Sequence, residues 1–156
     1  MIMLKKLELL LPPLPLTFVL CGAIVISDIF IPELSINLAY GNWIACLFFM
    51  MSAVFVLPAV FSFIQAKTTV DPRVPEKSKK LVVSGLYKIS RNPMYVGFLF
   101  FILATGFFYS NIIALVLAVV FVPYMNRFQI SLEETQLNKA FGEHYIQYCQ
   151  RVRRWL

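Results

Sequence analysis

The sequence predicts an all-α, polytopic membrane protein with about four transmembrane helices and a cytoplasmic C-terminal helix. Three observations carry that expectation. The 156 residues are 60% hydrophobic and only 14% charged, whereas a soluble domain is roughly 45–50% apolar. No Lys or Arg occurs between Lys6 and Lys67, and no charge of either sign between Arg91 and Arg127. All 14 Lys and Arg fall outside these gaps, and four crossings would gather them on one membrane face, which the positive-inside rule makes cytoplasmic.

The elements follow in order. Lys5-Lys6 and the apolar run after them resemble a secretory leader, but Pro12, Pro13 and Pro15 interrupt the run and no small-residue cleavage site follows. A membrane helix needs about 20 apolar residues, with a range of about 17–25. The first gap therefore holds two, near 14–30 and 42–63, separated by a turn containing Pro32, Asn37 and Gly41. The second gap is too long for one crossing and predicts short legs near 94–109 and 111–124, with Tyr109-Ser110-Asn111 as the hairpin tip. Both termini and the Gln65–Arg91 segment then share the cytoplasmic face, leaving Asp28 and Glu33 on the other. The stretch 67–80 reads as a cytoplasmic connector, and Phe141–Arg151 as a helix. Its aromatic stripe of Phe141, Tyr145, Tyr148 and Val152 suits the membrane surface or a lid folded back over a site. The whole, 1–156, reads as a single integral membrane domain.

This topology limits the function classes. The net charge of +6 is explained by orientation and by anionic headgroups, at roughly 1 kcal/mol per surface Lys or Arg, so no nucleic-acid partner is expected. One His and three Cys without ligand spacing predict no metal. Cys21, Cys46 and Cys149 read as packing residues, and His144 as a solvated surface residue. The polar segments 79–97 and 127–155 flank the second hairpin and therefore meet on one face. Each has a plain reading. Ser131-Leu-Glu-Glu134 fits a capping box that starts a tail helix. Arg91 and Lys88 suit snorkelling anchors, Asn92-Pro93 a helix start, and Tyr145 and Trp155 interface aromatics.

Taken in order, Gly85-x-Tyr87-x3-Arg91-Asn92-Pro93-x-Tyr95-x-Gly97, then Glu133-Glu134, Phe141-Gly142-x-x-Tyr145 and Arg151-Val152-x-Arg154-Trp155 resemble the isoprenylcysteine carboxyl methyltransferase family. More distantly, they are similar to the membrane phospholipid N-methyltransferases. The resemblance covers residues 79–155 and implies an S-adenosylmethionine site at the cytoplasmic surface. It implies cofactor contacts from Lys79, Lys80, Leu81, Val82, Tyr87, Asn92, Pro93, Met94, Tyr95 and Glu133. It places Arg91, Glu133 and Glu134 in catalysis, and Arg127 and Gln129 against substrate. Two positions depart from the family. Asn92 stands where His is frequent, which leaves a hydrogen-bonding role and removes a titratable one. Gln129 stands where eukaryotic members carry a substrate-contacting Arg, which argues against a prenylcysteine carboxylate.

Methyl transfer from a sulfonium relies on in-line positioning in a water-poor cleft and needs no nucleophilic side chain. The expected substrate is a lipophilic small molecule or lipid entering from the bilayer, with a carboxylate, thiol or amine as acceptor. The alternatives are a non-catalytic membrane adaptor on the same scaffold and a nicotinamide-dependent lipid reductase. The second lacks any Gly-x-Gly-x-x-Gly signature.

Overall fold

The protein is seen in a computed structural model that describes residues 12–36, 38–66 and 81–156. The leader-like Lys5-Lys6 stretch, the connector 67–80 and the predicted cofactor residues Lys79 and Lys80 lie outside them.

Apolar runs interrupted by Pro and by polar turn residues leave the chain one way to satisfy its backbone in hydrocarbon, as helices. α1 is Pro13–Phe30, with Pro13 at the first helical position, where its missing N–H costs nothing. α2 is Gly41–Gln65, α3 is Pro93–Phe108 and α4 is Ile113–Met125. Each of the four expected segments falls on an apolar helix. α1, α2 and the helical stretch that begins with α4 have the length and apolarity to cross a membrane, and α3 is a shorter apolar helix. Their outer faces expose Trp43, Leu57, Val116 and Val119, side chains that a soluble protein hides and a bilayer covers.

The helices run antiparallel. At the end bearing Asp28 and Glu33 the two connecting turns are joined: Ile36 N–H donates to Ser110 O at 2.8 Å and Ile112 N–H to Leu34 O at 3.0 Å. The buried Asn111 amide donates to Ser27 Oγ at 3.1 Å. Ser110, at the expected hairpin tip, adopts φ +50°. In lipid, helices associate through close backbone approach at small residues. α2 buries Ala45, Ser52 and Ala59, seven residues apart. A Cβ on Gly97 of α3 would lie 2.4 Å from Val56 Cγ2 and 3.1 Å from Ser52 O.

The polar end departs from the sequence expectation. The fourth helix does not stop at Tyr124. It continues as one helical stretch, Ile113–Phe141, through a wide π-turn, Asn126–Ile130, into α5, Ser131–Phe141. Those 29 residues extend about 43 Å, more than the roughly 30 Å hydrocarbon layer. The apolar α4 supplies about 20 Å of that length, and the π-turn and α5 carry the helix on beyond it.

The capping box is overturned. Ser131 lies inside the continuous helix, its N–H bonded to Asn126 O and its hydroxyl to Arg127 O at 2.9 Å, so no helix start is left for it to cap. Gly142, at φ +51°, then turns the chain into α6, Glu143–Arg151. Positive φ is the region that glycine enters without a Cβ penalty. Phe141 therefore ends α5 and does not begin the tail helix.

Candidate active site

Three segments meet at the polar end. The first is the lead-in to α3, with a short 3-10 turn at Gly85–Lys88. The second is the π-turn with the first turn of α5. The third is α6 with the strap Val152–Trp155 that follows it. The lead-in packs Val82 and Tyr87 on Ala59 of α2, with the Tyr87 ring edge-on to Phe63, centroids 5.5 Å apart.

The strap runs beside the lead-in. Arg91 N–H donates to Arg153 O at 2.9 Å, and Ser90 and Arg153 form a parallel bridge. The Asn92 amide donates to Arg154 O at 2.8 Å. Tyr148 on α6 donates its hydroxyl hydrogen to Tyr87 O at 2.7 Å. The tail helix is thus folded back onto the site, one of the two arrangements its stripe allowed. Tyr145 is buried, and Trp155 packs edge-on to Phe121. The reading of Tyr145 as a headgroup anchor is corrected, because its ring is buried in protein; Trp155 is half-buried against the core.

Two polar clusters result. In the inner one, the Tyr95 hydroxyl and the Gln129 amide both donate to Glu133 Oε1. Burial raises the proton affinity of Glu133; the two donors oppose that, and the neighbouring Glu134 adds to it. Tyr87 is held neutral by burial, then by Tyr148 and Glu133.

In the outer cluster, Glu134 lies 3.2 Å from Arg91 and takes a two-pronged contact from Arg154, whose Nε donates at 3.0 Å. Arg91 also touches Cys149 Sγ, and its buried Nε has no partner among the described residues. Beyond this pair, α5 and α6 flank an open cleft of about 480 Å³, lined by Arg91, Glu134, Asn138, Tyr145 and Cys149.

Of the expected site residues, Val82, Tyr87, Arg91, Asn92, Tyr95, Gln129, Glu133 and Glu134 converge here. Pro93 is buried at the first position of α3, Met94 packs beside Val82 and Tyr87, and Leu81 is half-buried in the lead-in. Arg127 is exposed and stands outside both clusters. Glu133 and Glu134, adjacent in sequence, divide between the two. Sequence reasoning gave no site role to Asn126, Tyr148, Cys149 or Arg154. The signals available were Pro123 within an apolar run, which withholds a helix hydrogen bond near the π-turn, and the Arg-Trp pair at 154–155.

The phospholipid methyltransferase family profile matches residues 40–144, from the head of α2 into α6. The chain belongs to the phospholipid methyltransferase family. The chain is 39% identical over 80 residues to protein-S-isoprenylcysteine O-methyltransferase B of Arabidopsis thaliana, an overlap of 49% of this chain and 39% of that protein. It is 32% identical over 95 residues to protein-S-isoprenylcysteine O-methyltransferase of Schizosaccharomyces pombe, covering 58% of this chain and 40% of that one. An uncharacterized protein of Haemophilus influenzae is 41% identical over 63 residues, 40% of this chain and 100% of its own length. The chain spans about two-fifths of the length of the named methyltransferases. The resemblance read from the ordered motifs is borne out. No solved structure matches the chain.

Proposed function

We propose that this member of the phospholipid methyltransferase family is an S-adenosylmethionine-dependent membrane enzyme that methylates a lipophilic small molecule or lipid. The reading rests on one observation. In a chain of this family, the Tyr95–Gln129–Glu133 cluster and the Arg91–Glu134 pair lie side by side where an apolar bundle meets its polar end. The basic residues make that end the cytoplasmic one, and the described chain begins, at Pro12, and ends on that side.

The residues present fit the cofactor. Its carboxylate calls for a cation with an N–H to give, and Arg91 has a buried Nε–H without a described partner. Its ammonium calls for a carboxylate oxygen, and both described donors to Glu133 reach Oε1, leaving Oε2. Asn92 ties the strap, and Tyr148 ties α6, to the lead-in around these groups. When bound, the cofactor supplies an electrophilic methyl group on a sulfonium. The chain's own part is to orient and to exclude water: Tyr87, Tyr95 and Val82 are buried, and charge interactions strengthen in such surroundings. The open cleft beside Arg91 gives a polar cofactor its approach from water, and the apolar outer faces of the bundle give a lipophilic acceptor its approach from the bilayer.

Gln129 bears on the acceptor. A carboxylate would lie against Glu133 with an amide where a cation would be needed, a like-charge arrangement that disfavours it. An amine or thiol is favoured.

The test is calorimetric titration of the detergent-purified protein with S-adenosylhomocysteine. The wild type binds saturably, and Glu133→Gln and Arg91→Ala each weaken binding at least about tenfold, the equivalent of one charged hydrogen bond. Absence of heat with folded wild-type protein overturns the reading in favour of a non-catalytic adaptor.

A further inference from the structure

The π-turn carries a question that the cofactor reading does not answer: what makes the chain adopt it. An α-helix turns about 100° per residue, so a residue twelve positions on is rotated about 120° from the first. Continued as plain α-helix, α4 would turn Glu133 well away from the inward face that carries Phe121 and Met125, both 1% exposed. The i→i+5 bonding of a π-turn underwinds the chain and offsets part of that drift. Gln129 thereby comes inward, 3% exposed, and Glu133 reaches Tyr95. A π-turn has poorer backbone bonding than the α-helix it replaces, so it persists where tertiary contacts favour it.

The contact lies at its first residue. Asn126 accepts the π-type bond from Ser131 N–H on its backbone oxygen. Its side-chain Oδ1 accepts from Trp155 Nε1–H at 2.9 Å. The Trp155 ring rests edge-on to Phe121, centroids 6.5 Å apart, one turn before the wide segment. The strap that delivers Trp155 is itself fixed through Arg153 and Arg154 to Arg91 and Asn92. The residue therefore links the lead-in of α3 with the helix that carries Gln129 and Glu133.

We propose that Trp155 is a positioning residue: its indole N–H, bonded to Asn126, holds the π-turn and so sets the rotation that presents Gln129 and Glu133 to Tyr95. This rests on the reading of Gln129 and Glu133 as site residues, but its test needs no ligand. The carboxyl carbon of Glu133, assigned by its loss in Glu133→Gln, is followed by carbon-13 NMR against pH in detergent micelles.

The groups facing that carboxyl are Tyr95 from α3, Tyr87 from the lead-in, and Gln129 and Glu134 from its own helix. Trp155→Phe keeps an aromatic ring on Phe121 and removes only the donor; Asn126→Ala removes only the acceptor. Each is expected to move the Glu133 midpoint upward by about one pH unit, as the carboxylate loses donors that stabilise its charged form. The double variant is expected to move it no further, because both changes break the same bond. Gly106→Ala is the control. Its Cβ would meet Ala114 Cβ at 2.1 Å, so it disturbs helix packing at the far end and is expected to lower stability without moving the midpoint.

An unchanged midpoint in either folded single variant, or an equal shift in Gly106→Ala, overturns the proposal. Failure of the wild type to bind S-adenosylhomocysteine would overturn the cofactor reading and leave this result standing.

Discussion

Replacing Glu134 by Gln is expected to destabilise the protein more than removing either of its arginine partners. The order follows from burial. Side-chain exposure is 15% for Arg91, 20% for Glu134 and 37% for Arg154. Breaking a fully buried pair by removing one partner costs about 3–5 kcal/mol, because a charge is left uncompensated. Glu134 serves two guanidinium groups at once, so its loss leaves two like charges facing each other; partial exposure brings the cost to about 2–3 kcal/mol. Arg91→Met leaves Glu134 paired with Arg154 and is set at about 1–2 kcal/mol. Arg154→Met removes the most exposed member and is expected to cost under about 1 kcal/mol, the range of surface pairs. Thermal unfolding in detergent micelles reads these values as a midpoint drop of about 5–10 °C for Glu134→Gln, at roughly 2–4 °C per kcal/mol for a chain of this size. Raising the salt concentration should narrow the Arg154 difference before the Arg91 one, since screening acts first on exposed charge. Arg154→Met costing more than Glu134→Gln would refute the reasoning, because the carboxylate could not then be the hub of the triad.

Two further outcomes follow from the same geometry. Burial raises the folded-state proton affinity of Glu133, so above its unfolded pKa the native state holds more protons than the unfolded one and stability falls as pH rises. The contribution is fully present below about pH 4.3 and is lost as pH climbs through the raised value; Glu133→Gln should remove that part of the slope in unfolding midpoints measured against pH. Gly97→Ala forces a methyl group onto Val56 and is expected to cost about 1–3 kcal/mol. Adding Val56→Ala should restore much of the loss in the same thermal assay, and failure to restore it would exclude the Val56 side chain as the obstacle.

The spans were legible because charge is excluded from hydrocarbon: the gaps after Lys6 and Arg91 mark all four helices, and Ser110 falls at the turn expected of it. The meeting of the segments around Arg91 and Glu133 was legible from topology, since flanks of one hairpin share a face. What escaped is decided by contacts distant in sequence. Ser131-x-x-Glu134 is locally a good helix start, and tertiary contacts override it because the helix arrives already formed from α4. No local pattern distinguishes a π-turn from an α-turn at Asn126; the contact at Trp155 lies 29 residues away. Tyr145 has the amphipathic ring that headgroups favour, and only the docking of α6 reveals that protein covers it instead.

The joined turns at the end opposite the site have a mechanical consequence. Backbone bonds tie Ile36 to Ser110 and Ile112 to Leu34, and Asn111 reaches across to Ser27, so the two helical hairpins are riveted where they carry no candidate chemistry. Pairs of stiff rods fastened at one end part most at the other, like the arms of tweezers. Relative motion of the two hairpins is therefore pinned at this end, away from Tyr95 and Glu133.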